Sequence, residues 1–523
     1  MGKKLKTWVL NHKIEAIVLL SILLLGAFLR LYRIADYMTF LGDEGRDVLV
    51  VKRMIVDHKF TLLGPTASVG GFFLGPIYYY FMLPFLWIFK LNPVGPAVMV
   101  ALFGIATIFL VYKLGKDFFG TGAGIIAAVL YAISPVVITY SHSSWNPNLV
   151  PFFSILTLFT FYKAVTKKSN IFFVLGGIFF GINLQLHYLA SFLGVMMVVY
   201  LVLMEARKLK LFLGHAFLSG IGFIIGFSPF LAFELRHGFP NIQTIFRFIF
   251  SSSSGETGFV GEKFFTVVDG LVFRLFWRLL TRFPSLSEIN VSEVGILGFW
   301  YWLIVILIFA SLGVFFFWGF NNLKKQAVFY KFSLLAIWLI VGIGLFSFYK
   351  KPIYDYYLGF MFPLPFLLVG NFLAKLISSI KPLKIAGVVI FTLLLWNSLE
   401  GASFRFPPNR QLNQAREISR VVFEKAEGKP FNFALITGQN SDHAYRYFLE
   451  IWGTKPVTIE NTQVDPERKT VTDQLLIICE SMPCQPLGHS LWEIAGFGRA
   501  DIAEQWDVSV VKVYKLVHYK GPT

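Results

Sequence analysis

KIEAIVLLSILLLGAFLRLYR, residues 13–33, decides the class of this chain. A helix crosses a bilayer core with roughly 20 predominantly apolar residues, and this run supplies them with its charges confined to the two ends. It is too long for the apolar region of a signal peptide and has no small-residue cleavage site, so it is expected to persist as a helix. Ten further stretches read the same way, near 93–112, 121–140, 148–163, 171–186, 189–204, 211–233, 296–320, 328–348, 354–372 and 383–399. The expected fold is therefore an all-α polytopic membrane bundle of about eleven transmembrane helices. The stretch 76–89 is too brief for a span and opens on Tyr78, Tyr79 and Tyr80, which suits an interfacial or re-entrant segment in the first outer loop.

Composition agrees. Of 523 residues, 56% are hydrophobic and 15% charged, and the mean hydropathy of +0.64 lies outside the range of soluble globular chains. The 59 phenylalanines fit helices packed in lipid with aromatic belts at both interfaces. A net charge of +17 invites a nucleic-acid reading, but the basic residues are dispersed in short loops between apolar runs, where they orient helices and meet anionic lipid headgroups. No basic face for nucleic acid exists.

With 76–89 not crossing, alternate loops on one side hold the lysines and arginines: the N-terminus, then 113–116, 163–168, 207–210, 324–325 and 375–384. The positive-inside rule makes that side, and the N-terminus, cytoplasmic. Residues 35–92, 234–295 and 400–523 then face outward from the cell membrane.

After about residue 400 the apolar runs shorten to strand length, in FNFALI at 431–436, QLLIIC at 474–479 and VSVVKVYKLV at 508–517, with helical patterns at 411–426 and 441–452 between them. This divides the chain into a membrane domain, 1–400, and a small extracytoplasmic α/β domain, 401–523. An oxidising side permits a disulfide between its two cysteines, Cys479 and Cys484, but their four intervening residues also fit two free thiols. Without a nearby His pair they make a weak zinc site.

The chemistry concentrates in FLGDEGRDVLVVKRM, residues 40–54, just after the first span. Asp43, Glu44 and Asp47 set three carboxylates within five residues at the membrane surface. Gly42 and Asp43 can open a short helix whose N-terminal dipole keeps such groups ionised, as a general base requires. The plainer reading is an interfacial helix whose acids pair with Arg46, Lys52 and Arg53. The apolar, Gly-rich hairpin GGFFLGPIYYY at 70–80 follows and can roof a cavity over the acids, which favours chemistry.

Taken in order, these elements resemble the GT-C transferases, particularly the protein O-mannosyltransferase and lipid A aminoarabinose transferase group. An Asp43-Glu44 pair follows the first span, and G-P-x-Y-Y at 75–79 is similar to that group's P-P-x-Y-Y element. YKLGKDFFG, AAVLYAISPVVITYS, SHSSWNPNLVPFF and YKKPIYDYYLGFMFPLPFLL follow in the family's order, over roughly 13–400. The resemblance implies inverting transfer of a sugar from a polyprenyl- or dolichyl-phosphate carrier to an acceptor hydroxyl on a glycolipid, polysaccharide or protein, with membrane lipids as neighbours. Asp43 would take the acceptor's proton and Glu44 would support it. Positive charge would stabilise the departing phosphate, from Lys350 and Lys351, with Arg46 and Arg236 next. No obligatory metal or other cofactor is implied, since a monophosphate can leave without one.

This chain departs from the family where an acid is common, in the loop that here reads Ser144-Trp145-Asn146-Pro147-Asn148. Asn146 can hydrogen-bond a sugar but cannot act as a base, and Trp145 can stack on a sugar ring or anchor in the interface. Asp47, His187 in INLQLHYLA and Tyr354 complete the candidate substrate contacts, with Asp355 expected to pair with Lys351. Glu234 is a secondary candidate, and the polar loop 251–263 reads as a flap or an inert surface loop. The competing class is a lipid-linked oligosaccharide flippase or other transporter. Such proteins place ionisable groups near mid-membrane and often show repeated halves, neither of which is evident here.

Overall fold

Long apolar runs without internal charge become helices, because in lipid every backbone N–H and C=O has to be paired within its own segment. The computed structural model describes residues 11–68, 70–250, 261–284, 294–349 and 352–521. Among the described residues, eight helices are long and apolar enough to cross a membrane, or ten if two bent pairs each count as one span. The bent pairs are Thr121–Ile133 with Pro135–His142, at 57°, and Asp355–Met361 with Pro363–Ile377, at 58°. Each break sits where a proline opens the second helix. Proline has no N–H to donate, and Pro135 keeps Ser134 out of the helical region, at φ −58°, ψ 120°.

Every one of the eleven expected spans has its helix. The short apolar helix Asn170–Leu186 is the eleventh beside those ten. Ile77–Ile88 is a twelve-residue apolar helix, shorter than a bilayer core requires.

Small residues let the bundle close. Asn170–Leu186 and Leu209–His237 meet through Gly177 and Gly181 on one helix and Gly222 and Gly226 on the other, where a Cβ on Gly222 would lie 2.0 Å from the Val174 carbonyl oxygen. Such contacts give lipid-embedded helices dispersion energy where no hydrophobic driving force exists between them.

The C-terminal part is a four-stranded sheet of order β1-β2-β4-β3: β1 (Asn432–Ile436), β2 (Gln474–Cys479), β3 (Ala500–Val508) and β4 (Val511–His518). β1 and β2 are parallel, with Asn432 opposite Leu475, and β4 is antiparallel to β2 and β3. Both faces of β2 are covered, so it is buried throughout. Phe433, Leu476 and Ile478 face one core, shared with the helices Gln411–Lys425 and His443–Ile451, while Ala434, Leu475 and Ile477 face the other. The sequence reading needs one correction here. The run 508–517 is not a single strand: Ser509 turns the chain at φ 53°, separating β4 from β3, whose mostly exposed ADIAEQWDV carries no apolar alternation. Cys479 and Cys484 are joined in a disulfide.

Candidate active site

The three acids lie on the helix Gly42–Val56, which starts where expected. Its first turn is held from two sides. Glu44, at the third helical position, reaches back so that Oε2 accepts the Leu41 N–H at 3.1 Å, while Oε1 accepts the Ser143 hydroxyl at 2.7 Å. The free Gly42 N–H donates to Asn440 Oδ1 at 2.9 Å. Asn440 in turn donates to Glu480 at 2.8 Å, and Glu480 also accepts from Thr437 at 2.7 Å and Tyr445 at 2.6 Å. The helix then runs against His443–Ile451 at a distance only glycine permits. A Cβ on Gly45 would lie 2.2 Å from the Ala444 backbone nitrogen. Farther along, Arg53 and Lys52 pair with Glu450 at 2.9 and 3.6 Å.

Asp43, Arg46 and Asp47 share one helix face, as positions three and four apart do. Arg46 bridges the two acids: Nη1 donates to Asp43 Oδ1 at 2.7 Å, and Nε and Nη2 to Asp47 Oδ1 at 2.9 and 2.8 Å. Tyr79 adds a 3.2 Å hydrogen bond to that same Asp47 oxygen, and Asp47 Oδ2 is buried without a partner among the described residues. The carboxylates thus differ in availability. Glu44 and Asp47 are buried, whereas the Asp43 side chain is 53% exposed. Burial pushes the Glu44 carboxyl upward, against its hydrogen bond from Ser143. Burial likewise pushes Asp47 up to about 7, against the opposing pull of Arg46.

A carboxyl raised in the folded state stabilises the fold most below its ordinary pKa, and the advantage is lost as pH rises to the folded value. Thermal unfolding in detergent should therefore show stability falling as pH rises from about 4 towards 7. Asp47→Asn should flatten that slope. A slope identical in the variant would remove Asp47 as its source.

Asp43 and Glu44 line a cleft of about 870 Å³ with Tyr140 and Trp145 from the bundle and Gln414 and Gln439 from the C-terminal part. A second hollow, of about 860 Å³, contains Arg278, Arg282, Trp300 and Trp396. Thr139 and Tyr140 line both, so the acidic cleft adjoins the aromatic hollow, whose charged lining is Arg278, Arg282 and Glu400.

The remaining sequence candidates fall in several places. Trp145 reaches the acidic cleft with its ring 4.4 Å from that of Tyr356. Tyr354 is exposed and stacks on Tyr356 at 5.8 Å. Asn146 turns inward and donates to the Leu186 carbonyl at 2.6 Å, so it is engaged structurally. His187 is buried, and its Nδ1 accepts the Leu189 N–H at 3.3 Å. Glu234 is a buried cap, accepting from Asn241 at 2.8 Å and Ile242 at 3.0 Å. Arg236 is exposed at the end of its helix and lines neither hollow. Lys350, Lys351 and residues 251–260 of the polar loop lie outside the described residues. Asp355 is paired with Arg274 and with Arg278, the latter at 2.8 Å; its expected partner Lys351 lies outside the described residues. The arginines missed by the sequence reading recur every fourth residue, Arg274, Arg278 and Arg282. That spacing was the available signal.

The architecture is a multi-pass helical bundle with a small C-terminal sheet, a fold it shares with solved membrane transferases. Residues 74–233 match the family model described as dolichyl-phosphate-mannose-protein mannosyltransferase, so the resemblance read from the sequence holds. The solved structure of ArnT from Cupriavidus metallidurans bound to undecaprenyl phosphate superposes with a TM-score of 0.58 at 13% identity, covering 97% of this chain and 98% of that one. The archaeal oligosaccharyltransferase AglB from Archaeoglobus fulgidus, in complex with an inhibitory peptide and a dolichol-phosphate, gives 0.54 at 14% identity over 90% of this chain and 70% of that one. At these identities the likeness is one of fold. Among curated proteins no sequence matches the chain.

Proposed function

We propose that this protein is an inverting glycosyltransferase that moves a sugar from a polyprenyl-phosphate carrier to an acceptor hydroxyl at the outer face of the cell membrane. The N-terminus is cytoplasmic in this reading, and residues 401–523 form an extracytoplasmic domain. The observation that carries it is the junction of the two hollows at Thr139 and Tyr140. A lipid phosphate asks for fixed cations beside an apolar, aromatic surface, and Arg278 and Arg282 stand beside Trp300 and Trp396. A sugar on that phosphate extends over Tyr140 toward Asp43, the carboxylate open to the cleft. Asp43 removes the acceptor proton as the hydroxyl attacks the anomeric carbon. The glycosyl–phosphate bond breaks with its electron pair on the phosphate oxygen, where arginine charge stabilises it. The solved structures named above carry undecaprenyl phosphate and a dolichol-phosphate, which supports a donor of this kind.

The test is transfer from a panel of polyprenyl-phosphate sugars by purified protein in lipid nanodiscs, with membrane extract as acceptor. Turnover of none of these donors would sink the reading and favour a transporter. Arg282 has no carboxylate partner among the described residues. Arg282→Ala should raise the donor KM about tenfold or more, since a hydrogen bond to a charged group contributes roughly 1.5–3 kcal/mol. An unchanged donor KM would take the phosphate elsewhere.

A further inference from the structure

The cleft beside Asp43 has a wall with no role in the chemistry just described. Gln411 and Gln414 present side chains into it from one turn of the helix Gln411–Lys425, and Gln439 does so from the loop after β1. Only one of these three carboxamides is engaged, through the Phe40 N–H to Gln411 Oε1 at 3.2 Å. The Gln411 NH₂ and both ends of Gln414 and Gln439 have no partner among the described residues; Gln411 and Gln414 are half-buried, and Gln439 is exposed. Polar groups partly withdrawn from water and left unpaired are suited to a ligand's hydrogen bonds.

The charges around them narrow the ligand. No lysine or arginine lines the cleft among the described residues. Its three acids are Asp43, Glu44 and Glu480, so a phosphorylated or carboxylated acceptor would be repelled. Nor is there a set of unengaged carboxylates to hold a cation: Arg46 pairs one oxygen of Asp43, Ser143 and Leu41 occupy Glu44, and three donors occupy Glu480. What remains are carboxamides, each both donor and acceptor, facing a half-buried indole, Trp145. Hydroxyl groups, also both donor and acceptor, complement carboxamides, and the apolar face of a sugar ring suits an indole.

We propose that Gln411, Gln414 and Gln439 form the acceptor subsite, and that the acceptor is an uncharged, hydroxyl-rich saccharide. This rests on the transferase reading above. The incoming sugar hydroxyl forms the new C–O bond to the anomeric carbon, its proton passes to Asp43, and the carrier phosphate departs with the electrons of the broken bond.

The experiment offers purified full-length protein a donor it turns over, with three acceptor probes: an alkyl trisaccharide, the same trisaccharide phosphorylated, and a capped peptide containing Ser and Thr. Transfer to each probe is measured together with donor hydrolysis to water. The expected result is transfer to the neutral trisaccharide, with acceptor KM raised at least tenfold in Gln414→Ala and Gln439→Ala while donor hydrolysis is unchanged. Donor hydrolysis with the trisaccharide refused, a preference for the peptide or phosphorylated probe, or an acceptor KM indifferent to both substitutions would overturn the acceptor proposal alone. Donor turnover absent under all conditions would overturn the transferase reading and the acceptor proposal with it.

Discussion

Asp43→Asn is expected to lower sugar transfer by about 10²–10⁴-fold, the usual contribution of a positioned general base, in a protein that still folds. The substitution keeps the side chain's shape and an oxygen to accept from Arg46 at the 2.7 Å position now held by Oδ1. It removes the basic oxygen that can carry a proton away. The stability change should be small, because the group is half exposed and an acid in the first helical turn contributes only about 0.3–1 kcal/mol through the dipole. Glu44→Gln should behave differently. Both Glu44 oxygens accept hydrogen bonds in a buried setting, so an amide there turns a donor toward one of two donors and weakens the start of the helix. Single-turnover kinetics and thermal unfolding on both variants separate the roles. An Asp43→Asn variant with near-normal transfer would end the case for Asp43 as base.

Gly45→Val should be as damaging by another route. A Cβ at Gly45 would lie 2.2 Å from the Ala444 nitrogen and 2.5 Å from its Cα, both backbone atoms that cannot rotate aside. Overpacking of this kind costs typically 1–3 kcal/mol and occasionally more, and here the strain falls on the helix that carries Asp43. The expected outcome is loss of monodisperse protein in detergent, or a fall in unfolding temperature together with loss of transfer. Gly220→Ala, where an added Cβ meets nothing within 4 Å, is the matched control and should be silent. If Gly45→Val gave a protein as stable as that control, the helix contact would not be as tight as described.

The membrane part was legible because hydropathy is local. An apolar run of about twenty residues announces its helix wherever it later packs. The start of the acidic helix was legible for the same reason, in Gly42-Asp43-Glu44. The importance of Gly45 was not, because it depends on Ala444, a residue with no marker in the sequence. The same holds for Asn440 and Glu480, which hold the first turn from a distance. β3 escaped because ADIAEQWDV lies largely exposed and lacks the alternation that betrays a half-buried strand. The Arg274–Arg278–Arg282 stripe was readable from its spacing, but it follows a polar loop that draws attention to itself. Lys350 and Lys351 drew the reading as the charges of a short loop between two spans, and the pairing of Asp355 with Arg274 and Arg278 had no marker near it in the sequence.

The Gly42–Asn440 bond joins positions 398 residues apart, and the Gly45–Ala444 approach lies directly beside it. A ribosome therefore adds 398 residues after Gly42 before the start of that helix gains its last supports. Chimaeras that exchange the tail of this protein for a relative's should fail unless residues 40–53 travel with it, so in laboratory recombination the two distant segments constitute a single heritable unit.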